Sequence, residues 1–404
     1  MKQMRLTLSN PPLRRLLLAQ APADFADWMD AVAIIALLAY HWHVAPLIFA
    51  FLAVAFALPY LIVGPAAGAL VDRMDVRRIL ILSNLGRGLA TLALAFAPGW
   101  PTLLALIALR GAVDCFFGPA KQAALQALAP SDQRMAANGL SHAINQASKI
   151  VAPSLGGLAL IVWSPGGVFL ANAAMSFAAA ALVLGLPRLP PAPRSGQSEG
   201  GLFAHIRDGL AEVRGNPLVL GTLGLMAAGY FAMFFYDTLI APLIRDLGLS
   251  QSGLGLAIAA VGAGGVAGAL WAGTGKSPRR PFLWIAGGSV LSGLLIGGLG
   301  FAELLDRRLS LPLVCALFAV IGFATSLLIV PTRVILQNEV APERIGRITA
   351  LGEAANSLAI LIAPFPGAAL ASAFSTGAAF VAGAALMLLA AFWALALNRA
   401  HHRP

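Results

Sequence analysis

The feature that most limits how this chain can fold is the recurrence of long apolar runs. Twelve stretches are each long enough to cross a lipid bilayer as a helix, which takes about 20 residues. They lie at roughly 16–40, 46–70, 78–98, 102–127, 137–162, 166–186, 217–243, 252–273, 282–302, 310–336, 348–373 and 377–397. Of the 404 residues, 59% are hydrophobic and 11% charged, against about 25% charged in soluble domains. So much apolar surface cannot be hidden from water by one chain, so lipid must be the main solvent. Only helices that satisfy their own backbone hydrogen bonds fit that solvent in runs of this length. The 42 glycines suit close helix packing in lipid, where small residues let backbones approach. The expected fold class is therefore an all-α membrane protein.

The formal charge is +10, which in a soluble protein would suggest nucleic acid. The placement of the charge argues otherwise. Twenty of the 27 Lys and Arg residues fall in the termini and even-numbered loops, with Lys121 counted among them. Three fall in odd-numbered loops (Arg245, Arg307 and Arg308), and four within spans (Arg87, Arg110, Lys149 and Arg333). Positive loops stay in the cytoplasm, so both termini are expected there and no nucleic-acid partner is. The apolar stretch near the N-terminus has no small-residue cleavage site and contains Asp24, Asp27 and Asp30, so it reads as a first span rather than a signal peptide. Cys115 and Cys315 lie far apart within apolar stretches and offer neither a disulfide framework nor a metal site.

An internal repeat organises the twelve spans. Gly64-Pro-Ala-Ala-Gly68 returns as Gly264-Gly-Val-Ala-Gly268, Pro119 and Lys121 return as Pro331 and Arg333, and Ala152-Pro153 returns as Ala363-Pro364. Ala129-Pro130 likewise returns as Ala341-Pro342. The matching parts keep their order, which predicts two related six-helix bundles, 1–186 and 217–404. The linker 187–216 is rich in proline and then basic and amphipathic around His205, Arg207 and Arg214, so a short helix on the cytoplasmic face is expected there. Parallel halves of this kind rock around a site near the bilayer midplane.

Between spans two and three runs Gly68-Ala-Leu-Val-Asp72-Arg73-Met-Asp75-Val-Arg77-Arg78. This resembles the loop signature of the major facilitator superfamily. Ala26-Asp27-Trp28, Gly118-Pro119-Ala120 and Ala137-Asn138-Gly139 are similar to motifs of the branch containing macrolide and enterobactin exporters. The resemblance covers essentially the whole chain. Two departures stand out: Asp75 occupies the second glycine position of the loop signature, and Ala152 the first glycine of the exporter signature in span five. In the second half, Ala272 stands where Asp72 would. The resemblance implies a twelve-helix major facilitator fold, an antiporter exporting small amphipathic molecules, and a bacterial inner-membrane location. It also implies a gating lock built from Gly68, Asp72, Arg73, Arg77 and Arg78, and no cofactor.

Charged residues inside spans carry the remaining signal, because an ionised side chain near the bilayer centre costs about 2.5–3.5 kcal/mol even on lenient scales. Asp27 and Asp30 lie on one helix face and are the candidates for proton coupling, with Asp24 read as structural. Arg110 and Asp114, four residues apart, suggest an ion pair on one helix and join the proton-coupling set. Arg87 is expected to pack in the cytoplasmic half of span three. The expected substrate cavity takes His142, Asn145 and Lys149 from span five, Phe234, Tyr236 and Asp237 from span seven, and Glu353 and Asn356 from span eleven. Lys149 is a candidate partner for Asp27 or Asp30. Lipid-facing aromatics and a hydrogen-bonded packing histidine are the structural alternatives for Phe234, Tyr236 and His142.

No catalytic set is visible, so no enzyme is expected. Gly275-Lys276-Ser277 imitates the end of a phosphate-binding loop but lacks its earlier glycine. The expectation is a monomeric, proton-coupled secondary transporter whose partners are protons, membrane lipids and a small amphipathic substrate such as a drug or siderophore. A lysophospholipid transporter of the same superfamily, suggested by Pro119-Ala120-Lys121, is the alternative. A non-transporting membrane receptor is the remote one.

Overall fold

The computed structural model describes residues 7, 9–190, 216–274, 280–340 and 345–401. These residues are overwhelmingly helical, with no strand among them. Most of the expected linker helix, with His205, Arg207 and Arg214, lies outside the described residues. So do Lys276, Arg279, Ala341-Pro342 and the side chain of Arg333.

Twelve helical passes follow one another. Span one is Pro11–Met29, continued by Ala31–Ala36 and a π turn at Leu37–His41. Span two is Pro46–Ile62 with Gly64–Val71, span three Val76–Leu94, and span four Trp100–Asp114 with Phe117–Leu128. Spans five and six are Arg134–Ala159 and Pro165–Leu184. Span seven is Pro217–Asp237 with Ile240–Asp246, followed by Gln251–Thr274 (eight), Pro281–Leu304 (nine) and Leu311–Glu339 (ten). Span eleven is Ile345–Ile362 with Pro364–Ala373, and span twelve is Thr376–His401. Eight of these passes are long and apolar enough to cross a membrane by length and composition alone, and the bent second span makes nine. The other three are spans one, three and five, where charged and polar side chains interrupt the apolar run. All three belong to the first half.

The breaks within spans have local causes. Span two bends by 41° between Ile62 and Gly64, because Pro65 has no N–H to continue the ladder. Span one breaks at Asp30, which caps Pro11–Met29. Span four breaks just after Asp114, at Cys115 and Phe116, and span seven just after Asp237. Three intramembrane carboxylates thus sit where helices are interrupted, and interrupted helices leave backbone groups that polar side chains and ions can use.

The helices divide into two compact units, Met1–Val44 with Val54–Gln197, and Ser198–Pro404 with Ala45–Ala53. The core of the first gathers Leu13, Leu17, Leu80, Ala120, Ala124 and Val183. The core of the second includes Leu225, Phe282, Ile285, Ala390 and Ala394. The repeat is expressed in their backbone packing. At Gly156 of span five an added Cβ would lie 1.8 Å from the Met29 carbonyl oxygen of span one. At Gly367 of span eleven it would lie 1.7 Å from the Phe235 carbonyl oxygen of span seven. Both glycines stand four residues after an Ala-Pro pair, and both let helices meet backbone to backbone. The halves differ elsewhere. Gly264 meets the Ala319 carbonyl oxygen at 1.8 Å by the same measure, whereas its counterpart Gly64, like Gly68, has nothing within 4 Å.

Candidate functional site

Spans one, three and four of the first unit bring seven acidic and basic side chains into one largely buried cluster, which span five joins through Asn145. Arg87 of span three is 2% exposed and stands at its centre. Its guanidinium pairs with Asp27 of span one and approaches Asp114 Oδ1 of span four at 2.9 Å. The second approach is an ion pair off the angle of a hydrogen bond. Arg87 also donates to the Ala23 carbonyl oxygen at 2.7 Å, beside the turn that carries Asp27. Tyr60 of span two donates to Asp114. One cation thus holds two acids from different helices, and a third helix supplies a hydroxyl.

Two further pairs flank this centre. Asp30 is fully buried and pairs with Arg110, while its other carboxylate oxygen has no hydrogen-bond partner among the described residues. Asp24, 1% exposed, accepts from Lys121 Nζ at 3.1 Å, Asn145 Nδ2 at 3.3 Å and Gln20 Nε2 at 2.7 Å. Gln20 Nε2 also reaches the Ser141 carbonyl oxygen at 2.8 Å, which ties span five to span one. The Phe117 ring faces both the Arg87 guanidinium, 4.9 Å from its centroid, and the Lys121 ammonium, at 5.1 Å. A ring face attracts cations, so Phe117 links the two basic groups without pairing either.

Several expectations change here. Arg110 does not pair with Asp114 along its own helix. It reaches Asp30 across to span one, and Asp114 goes to Arg87. Cross-helix pairing wins because a buried acid on another helix has no alternative partner, and leaving it unpaired would cost more than an i,i+4 pair returns. Arg87 does not merely pack but carries the network. Lys121 is not a loop residue but lies in the helix Phe117–Leu128, paired with Asp24. Asp24 is more than a cap at the entrance, with three side-chain donors around it. Asn145 is committed to Asp24. Lys149 pairs with neither Asp27 nor Asp30; it is exposed and forms no ion pair among the described residues.

The remaining candidates are dispersed. His142 and Glu353 are exposed on their own units, and Asn356 and Phe234 are half-buried. The aromatic stretch of span seven is split. Tyr236 is buried with its ring 5.2 Å from Phe380, while Asp237 ends the helix and is exposed. In the loop between spans two and three, Asp72 is exposed and makes no ion pair among the described residues. The acid that acts there is Asp75, which accepts from the Arg78 amide at 3.2 Å and caps span three. Arg77 donates to the Leu184 carbonyl oxygen and Arg15 to that of Gly185, so two arginines cap the C-terminus of span six. Arg73 and Arg78 are exposed.

The sequence did not mark Arg87, Tyr60, Gln20 or Phe117 as members of one site. The available signal for Arg87 was its presence inside a span, where a lone cation needs an anion. Nothing in the order of residues indicated which anion.

A membrane protein of twelve helices in two repeated halves, with ion pairs buried in one of them, is a transporter architecture rather than an enzyme. The model of the Major Facilitator Superfamily matches residues 16–305 and 230–404, and the chain belongs to that superfamily. It is 29% identical over 381 residues to the uncharacterized MFS-type transporter YfiS of Bacillus subtilis (strain 168), covering 93% of this chain and 91% of that one. It is 27% identical over 318 residues to macrolide efflux protein A of Streptococcus pyogenes, covering 76% of each. It is 30% identical over 302 residues to the enterobactin exporter EntS of Shigella boydii serotype 18, covering 72% and 68%. A bacterial homologue of the lysosomal transporter Spinster shares the fold, with a TM-score of 0.71, 14% identity and 96% of both chains covered. The nucleoside transporter NupG shares it as well, at a TM-score of 0.72, 11% identity, and 95% and 99% coverage.

Proposed function

We propose that the protein is a proton-coupled exporter of small amphipathic molecules, working by alternating access in a bacterial inner membrane with both termini in the cytoplasm. The moving units are the halves 1–186 and 217–404. The observation that carries the coupling is the charge balance of the buried network. Asp24, Asp27, Asp30 and Asp114 are four acids, and Arg87, Arg110 and Lys121 are three cations. A low-dielectric interior favours neutrality, so one carboxylate is left over, and a proton is the smallest charge that balances it.

Asp27 is the member suited to exchange that proton. Its side chain is 25% exposed, whereas those of Asp24 and Asp30 are 1% and 0% exposed. Its partner Arg87 is shared with Asp114, so protonating Asp27 leaves Arg87 paired. Asp24 and Asp30 have cations of their own and hold the helices together. Kinship with exporters of a macrolide and of enterobactin supports export of amphipathic cargo. The lysophospholipid alternative drew on Pro119-Ala120-Lys121, and Lys121 is engaged by Asp24 rather than free to meet a headgroup.

The test uses everted membrane vesicles and a labelled macrolide. With an imposed outward-directed proton gradient, the lumen being acidic, protons leave as the macrolide enters and the wild type accumulates label. Asp27→Asn is expected to lose gradient-driven accumulation by about tenfold or more, the scale of one lost coupling interaction, while keeping macrolide exchange at zero gradient. Gradient-driven uptake unchanged in Asp27→Asn would overturn the assignment.

A further inference from the structure

The second unit contains a pocket of a different chemical kind. Span seven lines it with Met226, Gly229 and Met233, at i, i+3 and i+7, and span ten with Thr325, Leu328 and Thr332 at the same spacing. That spacing puts each trio on one helix face. Tyr230 and Tyr236 of span seven, Ile329 of span ten, Ser292 of span nine and Met387 of span twelve complete the lining. All of these residues belong to one compact unit. Among the described residues no acidic or basic side chain lines the pocket, in contrast to the ion pairs of the first unit.

The polar groups are the hydroxyls of Tyr230 and Tyr236, two threonines and Ser292, and they differ in role. Thr325 donates to the Ile321 carbonyl oxygen at 2.9 Å and Thr332 to that of Leu328 at 2.7 Å. Their protons are committed, so towards the pocket they can only accept. Ser292 is 2% exposed, and its hydroxyl has no hydrogen-bond partner among the described residues. A buried hydroxyl without a partner is uncommon enough to require a reason, and a ligand that accepts from it is one. The three thioethers are polarisable and adapt their shape to apolar and aromatic groups.

We infer that this pocket binds the uncharged, polarisable part of the transported molecule, with Ser292 donating a directed hydrogen bond and the threonines accepting. The inference rests on the exporter reading for its biological role, but the binding itself can be measured without transport. It divides the labour within the chain: the first unit handles charge, and the second selects neutral aromatic cargo with a hydroxyl or comparable group.

The test is equilibrium binding of tritiated 1-naphthol to the purified full-length protein in lipid nanodiscs, with empty nanodiscs subtracted. Naphthalene and 1-naphthoate serve as competitors. The expected result is saturable 1-naphthol binding, with 1-naphthoate at least about tenfold weaker as a competitor, because its charge meets no counter-ion in the pocket. Ser292→Ala is expected to reduce the preference for 1-naphthol over naphthalene. At Gly229 an added Cβ would meet only Leu328 Cδ2, at an ordinary 3.7 Å. Gly229→Leu therefore places its bulk in the pocket and is expected to weaken binding about tenfold. Gly229→Ala, which leaves the helix intact, should show a smaller loss. Asp27→Asn should bind 1-naphthol as the wild type does, which separates this site from the coupling proposal. Absence of a saturable component, wild-type affinity in Gly229→Leu, or an unaltered preference in Ser292→Ala would each overturn the inference.

Discussion

Arg87 Nη1 lies 2.9 Å from Asp114 Oδ1, and the same guanidinium pairs with Asp27. One arginine of span three, itself 2% exposed, thereby joins spans one and four.

That relationship predicts a large cost for removing the cation alone. Arg87→Met leaves two mostly buried carboxylates without their shared cation, and breaking a fully buried pair from one side costs about 3–5 kcal/mol. A marked drop in the thermal unfolding midpoint of the purified protein is expected. Adding Asp114→Asn to Arg87→Met should recover part of the loss. An equal or deeper drop in the double variant would show that Asp114 is not held by Arg87.

The close helix contacts predict a contrast among glycines. Gly156→Ala and Gly367→Ala each place a methyl group inside a carbonyl oxygen of the neighbouring helix. Overpacking of this kind costs about 1–3 kcal/mol. Gly68→Ala meets nothing within 4 Å and is expected to leave the midpoint unchanged. Thermal melts of the three variants side by side give the comparison, and similar shifts in all three would contradict it.

In the loop between spans two and three, the two acids should separate by assay. Asp75 caps span three, and losing a cap costs about 0.5–2 kcal/mol, so Asp75→Ala should lower the unfolding midpoint. Asp72→Asn removes no contact of a described residue and should leave the midpoint in place. A stability loss in Asp72→Asn matching that of Asp75→Ala would be the contrary result.

Arg15 and Arg77 both donate to the last carbonyls of span six. A cation at a helix C-terminus contributes about 0.3–1 kcal/mol and is screened by salt. The double variant Arg15→Gln, Arg77→Gln should therefore melt lower than the wild type in low salt. The gap should narrow as ionic strength rises. A gap indifferent to salt would assign the arginines another role.

What the sequence determined by itself is what local pattern and solvent dictate. Apolar runs of bilayer length specify membrane helices, because no other backbone arrangement of that kind satisfies its hydrogen bonds in lipid. The Ala-Pro and glycine repeats at 152–156 and 363–367 specify related halves, because one pattern of small residues makes one kind of close contact. Asp24, Asp27, Asp30, Arg87, Arg110 and Asp114 were legible as intramembrane charges that needed partners. Which partner each one took was decided only by the tertiary structure. The i,i+4 spacing of Arg110 and Asp114 pointed along one helix, and the packing sent them to Asp30 and Arg87 on others. Lys121 moved from a loop into the network, and the acid that caps span three is Asp75. Pairing across helices depends on how far each helix is rotated and how closely its neighbour approaches. Those quantities are set jointly by contacts such as Gly156 on Met29, which no single helix encodes.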